Sequence, residues 1–502
     1  MRTKKAILNY ITELMPQIII AIVGIFKVKL FLQVLGESTL GLYQVYTQFL
    51  SYLAIVDGGL TTALLCALYK PLNDKNKEKT NEVLAAAFRV YSLIGIIIMT
   101  LGIVLSFFIP NFIKGNVFSL SYIVFTFIIY VISGIIGYFF VPYKTLFEAD
   151  QKKYVVNIIF QTSLIITGLT EIILLLCRFN FIAILISHSI INLITNLILL
   201  IYGRKNYSYV KLNNEKKDYT FSKEMKHLFF HKIGGVIANN IDIVIISKVL
   251  GLTIVPIYSA YNYIVSNLMN IVNKMASALL ALVGNFLTIK KEEAKKLFFE
   301  LNTMMFYIGT CLCVPLLFAI NGFIDIFYEG IIKTYDSLAL LFALILFYIV
   351  IRIPFNMFGS AAGLFKETKI CTLLESVLNL SLSIILVNLI GLPGVLLGTL
   401  IAYIISDYCI RPNIVFKHIF SSKANKYYFN NFKYIFILVI DGLLGYLIFN
   451  NLEFSNLLYW FLTFGLYFVI NSLLVLLIYY LIKDVKFLNR IKYILNKKKV
   501  GE

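Results

Sequence analysis

The chain has 502 residues, 60% of them hydrophobic and 14% charged, where an ordinary soluble domain carries roughly 45–50% and 25%. That surplus excludes a soluble enzyme, since a soluble fold would leave large apolar patches exposed, whereas a bilayer asks for about 20 apolar residues per span. The formal charge of +19, from 45 Lys and Arg against 26 Asp and Glu, falls in short runs between apolar segments, which suits a membrane surface and not a nucleic acid.

The expected fold class is therefore an all-α polytopic membrane protein. Apolar windows between charged or turn-forming breaks mark fourteen spans. They run 10 to 34, 41 to 69, 83 to 109, 117 to 142, 154 to 177 and 180 to 202, then 226 to 249 and 256 to 288, and finally 297 to 320, 337 to 357, 370 to 390, 394 to 410, 434 to 450 and 456 to 482. The opening Met1–Lys5 precedes an apolar run like that of a signal peptide. The run continues to Val34, holds Glu13, Lys27 and Lys29, and offers no small-x-small cleavage site, so a retained first span is expected.

Positive charge should alternate between loops if the count is right. With the N-terminus inside, 35 of the 45 Lys and Arg fall in cytoplasmic segments, and three (Lys114, Arg178, Lys333) fall in outer loops. The rest lie within spans: Lys27, Lys29, Arg89, Lys232, Lys248, Lys274 and Arg352. Both termini are expected in the cytoplasm. The expected organisation is an N-terminal lobe at 1–210 (spans 1–6), a linker at 211–225, a C-terminal lobe at 226–416 (spans 7–12), extra spans 13 and 14 at 417–482, and a basic tail at 483–502. That tail reads either as an interfacial amphipathic helix or as a frayed basic end.

The six cysteines form no CxxC pair, and no His/Cys cluster has zinc spacing, so neither a metal nor a cofactor is expected. No nucleophile motif or Gly-rich phosphate loop stands in a cytoplasmic segment, so no catalytic residue is assigned.

Sliding the sequence by 215 residues aligns VLGESTLGLYQVYTQFLSYL (34 to 53) with VLGLTIVPIYSAYNYIVSNL (249 to 268), identical at seven of twenty positions. The shift joins span 2 to span 8, an offset of six spans that preserves topology. A parallel repeat implies two lobes around a central cavity, the interface at which transporters commonly bind cargo.

Span 8 places Ser259, Tyr263, Ser266, Asn267, Asn270, Lys274 and Ser277 on one face about 100° wide. Lipid cannot solvate that face, so it either lines a wet cavity or glues helices together. A lysine near mid-span, costing roughly 2.5–3.5 kcal/mol on insertion scales, favours the cavity. The repeat carries the stripe onto Gln44, Gln48, Ser51, Tyr52, Ile55, Gly59 and Thr62 of span 2, mostly polar or small. Asp57 falls on the opposite face and is expected to pair within its own lobe, as a structural charge. Lys27 of span 1 maps onto Asp242 of span 7; it either lines the cavity or snorkels outward. Tyr348, Arg352 and Asn356 at i, i+4 spacing make span 10 a further lining helix. Glu171, His188, Glu375, Asp407 and Asp441 read either as proton relays or, more often for such residues, as satisfied packing groups. The expected cavity set is Lys27, Lys274, Arg352, Gln44, Gln48, Ser51, Tyr263, Asn267, Asn270 and Asp242.

LGESTLGLYQVYTQFLSYLAIVDGGLTTALLCALYK (35 to 70), IDIVIISKVLGLTIVPIYSAYN (241 to 262) and FKETKICTLLESVLNLSLSIILVNLIGLPGVLLGTLIAY (365 to 403) together resemble the Wzx-type polysaccharide flippases of the multidrug/oligosaccharidyl-lipid/polysaccharide exporter superfamily. The likeness spans almost the whole chain, through diffuse motifs such as LGxxxxGxY followed by DGG. It implies two helical lobes, a V-shaped cavity with cationic residues, and passage of a polyprenyl-pyrophosphate-linked oligosaccharide across a bacterial cytoplasmic membrane. Lys27, Lys274 and Arg352 would supply the cations. Asp57-Gly58 matches the family's Asp-Leu-Gly-like feature, with a second glycine here, and Lys70 stands nearest to the arginine that usually follows. The partners implied are the lipid-linked oligosaccharide, membrane lipids, and H+ or Na+ as coupling ion. The alternatives are an ion-coupled multidrug exporter of the same superfamily and a membrane glycan polymerase, the latter disfavoured by short outer loops.

Overall fold

A chain crossing about 30 Å of hydrocarbon must satisfy its own backbone hydrogen bonds, and helices do so within one segment. The computed structural model describes residues 2–115, 117–212, 216–223, 241–289, 291–449 and 456–485. Among them there is no strand, and 12 helical segments are long and apolar enough to cross a membrane. The first of these, Pro16–Asp57, has 42 residues, about 63 Å of helix and so two crossings. It takes in most of α1 (Arg2–Leu53) and the 3-10 turn Ala54–Asp57 that follows, and α1 breaks at Gly36, where φ is 80° and ψ 168°. The twelve segments thus hold thirteen of the expected spans. The seventh, 226 to 249, is described only at its end, as α9 (Asp242–Val249). Lys232 and the tail beyond residue 485 lie outside the described residues.

The chain forms two compact units, Met1–Val255 and Pro256–Glu502. In the first, α2 (Leu60–Asn73), α3 (Lys77–Ser106), α4 (Leu120–Ile136), α5 (Val141–Ala149), α6 (Lys153–Leu176) and α7 (Phe181–Asn206) follow α1. Tyr46 is fully buried, its hydroxyl 2.7 Å from Thr126 Oγ1 and its ring 5.0 Å from that of Phe127. The end of α9 also belongs to this unit: Ser247 Oγ donates to the Phe112 carbonyl at 2.8 Å, and the Lys114 N–H donates to the Ser247 carbonyl at 3.0 Å.

The linker is strapped down. Asn81 Nδ2 donates to the Tyr209 carbonyl at 2.8 Å and Asn81 Oδ1 accepts from the Lys211 N–H at 3.0 Å. The Asp218 N–H donates to the Glu82 carbonyl at 3.1 Å, and Lys79 Nζ lies 3.0 Å from Asp218 Oδ2. A short helix, α8 (Thr220–Lys223), follows.

The second unit contains α10 (Val255–Ile289), α11 (Lys291–Tyr328), α12 (Asp336–Ile351), α13 (Ile353–Ala361), α14 (Phe365–Ile390), α15 (Leu392–Tyr403), α16 (Arg411–Phe420), α17 (Asn425–Phe449) and α18 (Leu457–Leu481). The repeat is visible in its packing. Just before this unit, at the end of the first, Gly251 takes positive φ, 108°, like its counterpart Gly36, a conformation that costs glycine no Cβ clash. Tyr261, the counterpart of Tyr46, is fully buried, donates to Asn321 Oδ1 at 2.6 Å and stacks at 5.4 Å on Phe342, which stands 215 residues after Phe127. The extra spans α17 and α18 dock on α11 by polar contacts: Asn302 Nδ2 to Asn431 Oδ1 at 2.9 Å, Thr303 Oγ1 to the Tyr434 hydroxyl at 2.8 Å, and Trp460 Nε1 to the Ala319 carbonyl at 2.9 Å. Outward faces are apolar, with Leu389, Leu447 and Phe432 more than 70% exposed, as acyl-chain contact requires.

Partial burial raises the pKa of the Asp218 carboxyl, but the Thr220 N–H and the Lys79 ammonium outweigh it and hold the group below the usual carboxylate range. A depressed carboxylate contributes stability above its unfolded value, about 3.9, and loses it as pH falls through the lower folded value. Limited proteolysis of the purified protein should therefore find the linker equally protected from pH 8 to pH 5. Asp218→Asn should accelerate cleavage within 207–223 several-fold; unchanged cleavage in that variant would show that the clamp does not depend on this charge.

Candidate functional site

An ionised side chain in a low-dielectric interior needs a partner, so the partners of each intramembrane charge show what it is free to do. Lys27 on α1 meets Glu171 on α6, with Nζ 3.1 Å from Oε2. His188 on α7 places Nε2 3.1 Å from the same oxygen. The Glu171 side chain is fully buried, whereas Lys27 keeps 24% and His188 11% of their surfaces. Tyr43 lies against His188, ring centroids 6.2 Å apart, and Tyr130 lies edge-on to Tyr43. Glu171 Oε1 has no hydrogen-bond partner among the described residues. Of the two readings of Lys27, the ion pair turns it inward toward α6 and away from simple snorkelling.

Arg352 stands where α12 passes into α13, with Pro354 just beyond. Its Nη1 lies 3.0 Å from Asp407 Oδ2 and 3.4 Å from Glu375 Oε1, and its guanidinium carbon is 4.7 Å from the Tyr403 ring centroid. Asp407 also receives Arg411 Nε at 2.6 Å, and Arg411 Nη1 donates to Asn356 Oδ1 at 3.1 Å. Two cations and two carboxylates thus neutralise one another. Asp407 is carried on a π-helix, Ile404–Ile410, the kind of helical bulge often found at functional sites. Glu375 and Asp407 are satisfied groups, as packing residues are.

The stripe on α10 contrasts with both clusters. Tyr263, Asn267 and Lys274 are half-buried and Asn270 is exposed. Asn267 Nδ2 donates to the Tyr263 carbonyl at 2.8 Å and Ser277 Oγ to the Lys274 carbonyl at 2.9 Å, so the helix itself uses part of this donor capacity. Among the described residues Lys274 has no ion-pair partner. On α1, Gln44, Gln48 and Ser51 are half-buried; Ser51 Oγ donates to the Thr47 carbonyl at 2.9 Å, and Gln48 Oε1 is buried without a partner among the described residues. Asp242 opens α9, where a carboxylate suits the helix dipole, and lies within electrostatic reach of Tyr52. Asp57 lines a cavity of about 200 Å³ in the first unit with Tyr91, Tyr138 and Lys144.

Two partners escaped the sequence reading. Glu171 stands 144 residues from Lys27, and no spacing joins them. Arg411 lies just past a span end, where it reads as one more cytoplasmic charge, although its i, i+4 distance from Asp407 was a usable signal.

Residues 7–281, more than half of the chain, match a family described as polysaccharide biosynthesis protein. No curated protein matches. Among solved structures, a lipid II flippase MurJ in an inward closed conformation is 18% identical, with a TM-score of 0.66 over 93% of this chain and 98% of that one. An inward-facing multidrug resistance MATE transporter is 14% identical, TM-score 0.64, over 80% and 96%. An outward-facing MATE transporter is 13% identical, TM-score 0.55, over 80% and 93%. At these identities the likeness is one of fold.

Lys27→Ala leaves the Glu171 carboxylate with His188 as its remaining partner among the described residues. Breaking a buried pair from one side costs about 3–5 kcal/mol, so this variant should unfold well below the wild type in detergent. Lys27→Ala with Glu171→Gln should recover most of the loss; a double variant as unstable as the sum of the singles would show the pair to be uncoupled.

Proposed function

Since the chain belongs to the polysaccharide biosynthesis protein family, we propose that it is a flippase. Its cargo on this reading is a polyprenyl-pyrophosphate-linked oligosaccharide, moved by alternating access from the inner to the outer leaflet of a bacterial cytoplasmic membrane. The observation that carries the reading is Lys274: a half-buried ammonium on a polar helix face, with no carboxylate paired to it among the described residues. A fixed cation in a medium of low dielectric attracts an anion far more strongly than in water, and a pyrophosphate is such an anion.

Tyr263, Asn267 and Asn270 of the second unit offer hydroxyl and amide groups of the kind that bind sugars, and Gln44, Gln48 and Ser51 of the first unit offer such groups there. Lys27 and Arg352 are already compensated by Glu171 and by Glu375 with Asp407, so on this reading they act after Lys274 has engaged the headgroup. Of the two coupling ions, a proton suits the first unit better, because neutralising Glu171 would release the charge of Lys27. A cationic-drug exporter fits less well, since its cargo would meet Lys274 with repulsion. The orientation proposed puts both termini in the cytoplasm, following the distribution of Lys and Arg.

Export of surface polysaccharide should fall about tenfold or more in Lys274→Ala, a loss of about 1.4 kcal/mol or greater, with membrane abundance and thermal midpoint unchanged. Lys274→Arg should keep most of the export. Normal export by Lys274→Ala would overturn the assignment. Epitope tags at the two termini should stay protected in intact spheroplasts; a tag reached from outside would reverse the orientation.

A further inference from the structure

Arg89 sits on α3 about six residues inside the start of its apolar run, roughly 9 Å along the helix. No ion pair or hydrogen bond engages it among the described residues. It lines a cavity of about 550 Å³ with Ser92, Leu93 and Ile96 of α3, and with Leu212 and Lys217 of the linker. On α3 these residues share one face at i, i+3, i+4 and i+7 spacing. Ser92 Oγ is buried with no hydrogen-bond partner among the described residues. Lys217 is half-buried and likewise lacks an ion-pair partner among them. Two cations therefore share a cavity that no described carboxylate lines, an arrangement that favours an anion between them.

The walls say what kind of anion. Leu93 and Ile96 are 57% and 58% exposed and follow Arg89 toward the middle of the span, so a cationic floor leads into an apolar wall open to acyl chains. We propose that this cavity binds the phosphate of an anionic phospholipid of the cytoplasmic leaflet, with Arg89 and Lys217 on the phosphate oxygens, the Ser92 hydroxyl donating to one of them, and an acyl chain along Leu93 and Ile96. Basic pockets beside membrane helices on that side take such headgroups. The linker strap through Asn81 and Asp218 is what brings Lys217 over α3, so the lipid would tie the linker to the first unit. The site rests on the orientation proposed above and not on the identity of the cargo.

The test is thermal unfolding of the full-length protein in neutral detergent, titrated with phosphatidylglycerol, phosphatidylcholine or inorganic phosphate. Phosphatidylglycerol should raise the midpoint in a saturable way, and the other two should not. Arg89→Gln should lose at least half of the shift and Arg89→Lys should retain most of it. Lys217→Gln, a linker change that leaves the span intact, should also lose half or more, which keeps the test open if Arg89→Gln does not fold. An undiminished shift in Lys217→Gln would overturn the site, as would an equal shift with phosphatidylcholine; a shift reproduced by inorganic phosphate would overturn its identity as a lipid site. The readout uses neither cargo nor export, so its failure is separate from failure of the flippase reading.

Discussion

Hydrocarbon solvates no charge, and this one constraint sorts the intramembrane cations of the chain. A lysine or arginine at mid-span costs roughly 2.5–3.5 kcal/mol on insertion scales, and each must recover that cost from a carboxylate, from water or from a ligand. Lys27 recovers it from Glu171, and Arg352 from Glu375 and Asp407. Lys274 has no such partner among the described residues and rests on an otherwise polar helix face. The first two are paired in place, whereas Lys274 pairs with no carboxylate among the described residues, and that difference gives the proposed pyrophosphate contact its direction.

The scaffold is repeated and the charges are not. Gly36 and Gly251 both take positive φ between consecutive spans. Tyr46 on Phe127 is answered by Tyr261 on Phe342, each tyrosine buried and hydrogen-bonded to a neighbouring helix or loop. Helix breaks and aromatic anchors fix how spans pack, so a duplicated architecture keeps them. Lys27, by contrast, corresponds to Asp242, and Lys274 to Gly59.

The linker shows how a segment can read differently in sequence and in space. Between its charges and its Asn and Tyr residues, 203 to 225 has the composition of a tether. Asn81 nonetheless uses both ends of its amide on the backbone at Tyr209 and Lys211, and Lys79 pairs with Asp218. These contacts are polar and close to water, each worth little alone, yet several within a few residues hold the strand of chain against α3.

Class, the run of apolar spans and the six-span repeat were legible in the residues, because each follows from a one-dimensional pattern: apolar length set by bilayer thickness and a fixed offset between copies. The polar face of α10 was legible for the same reason, since helical periodicity places its residues on one side without help from neighbours. What only the tertiary structure decided is which charges cancel. Lys27 and Glu171, or Arg352 and Asp407, are brought together by the packing of helices far apart in sequence, and at a separation of about 3 Å in a poorly screening medium that packing determines whether a cation is free to meet an anionic ligand or already spent.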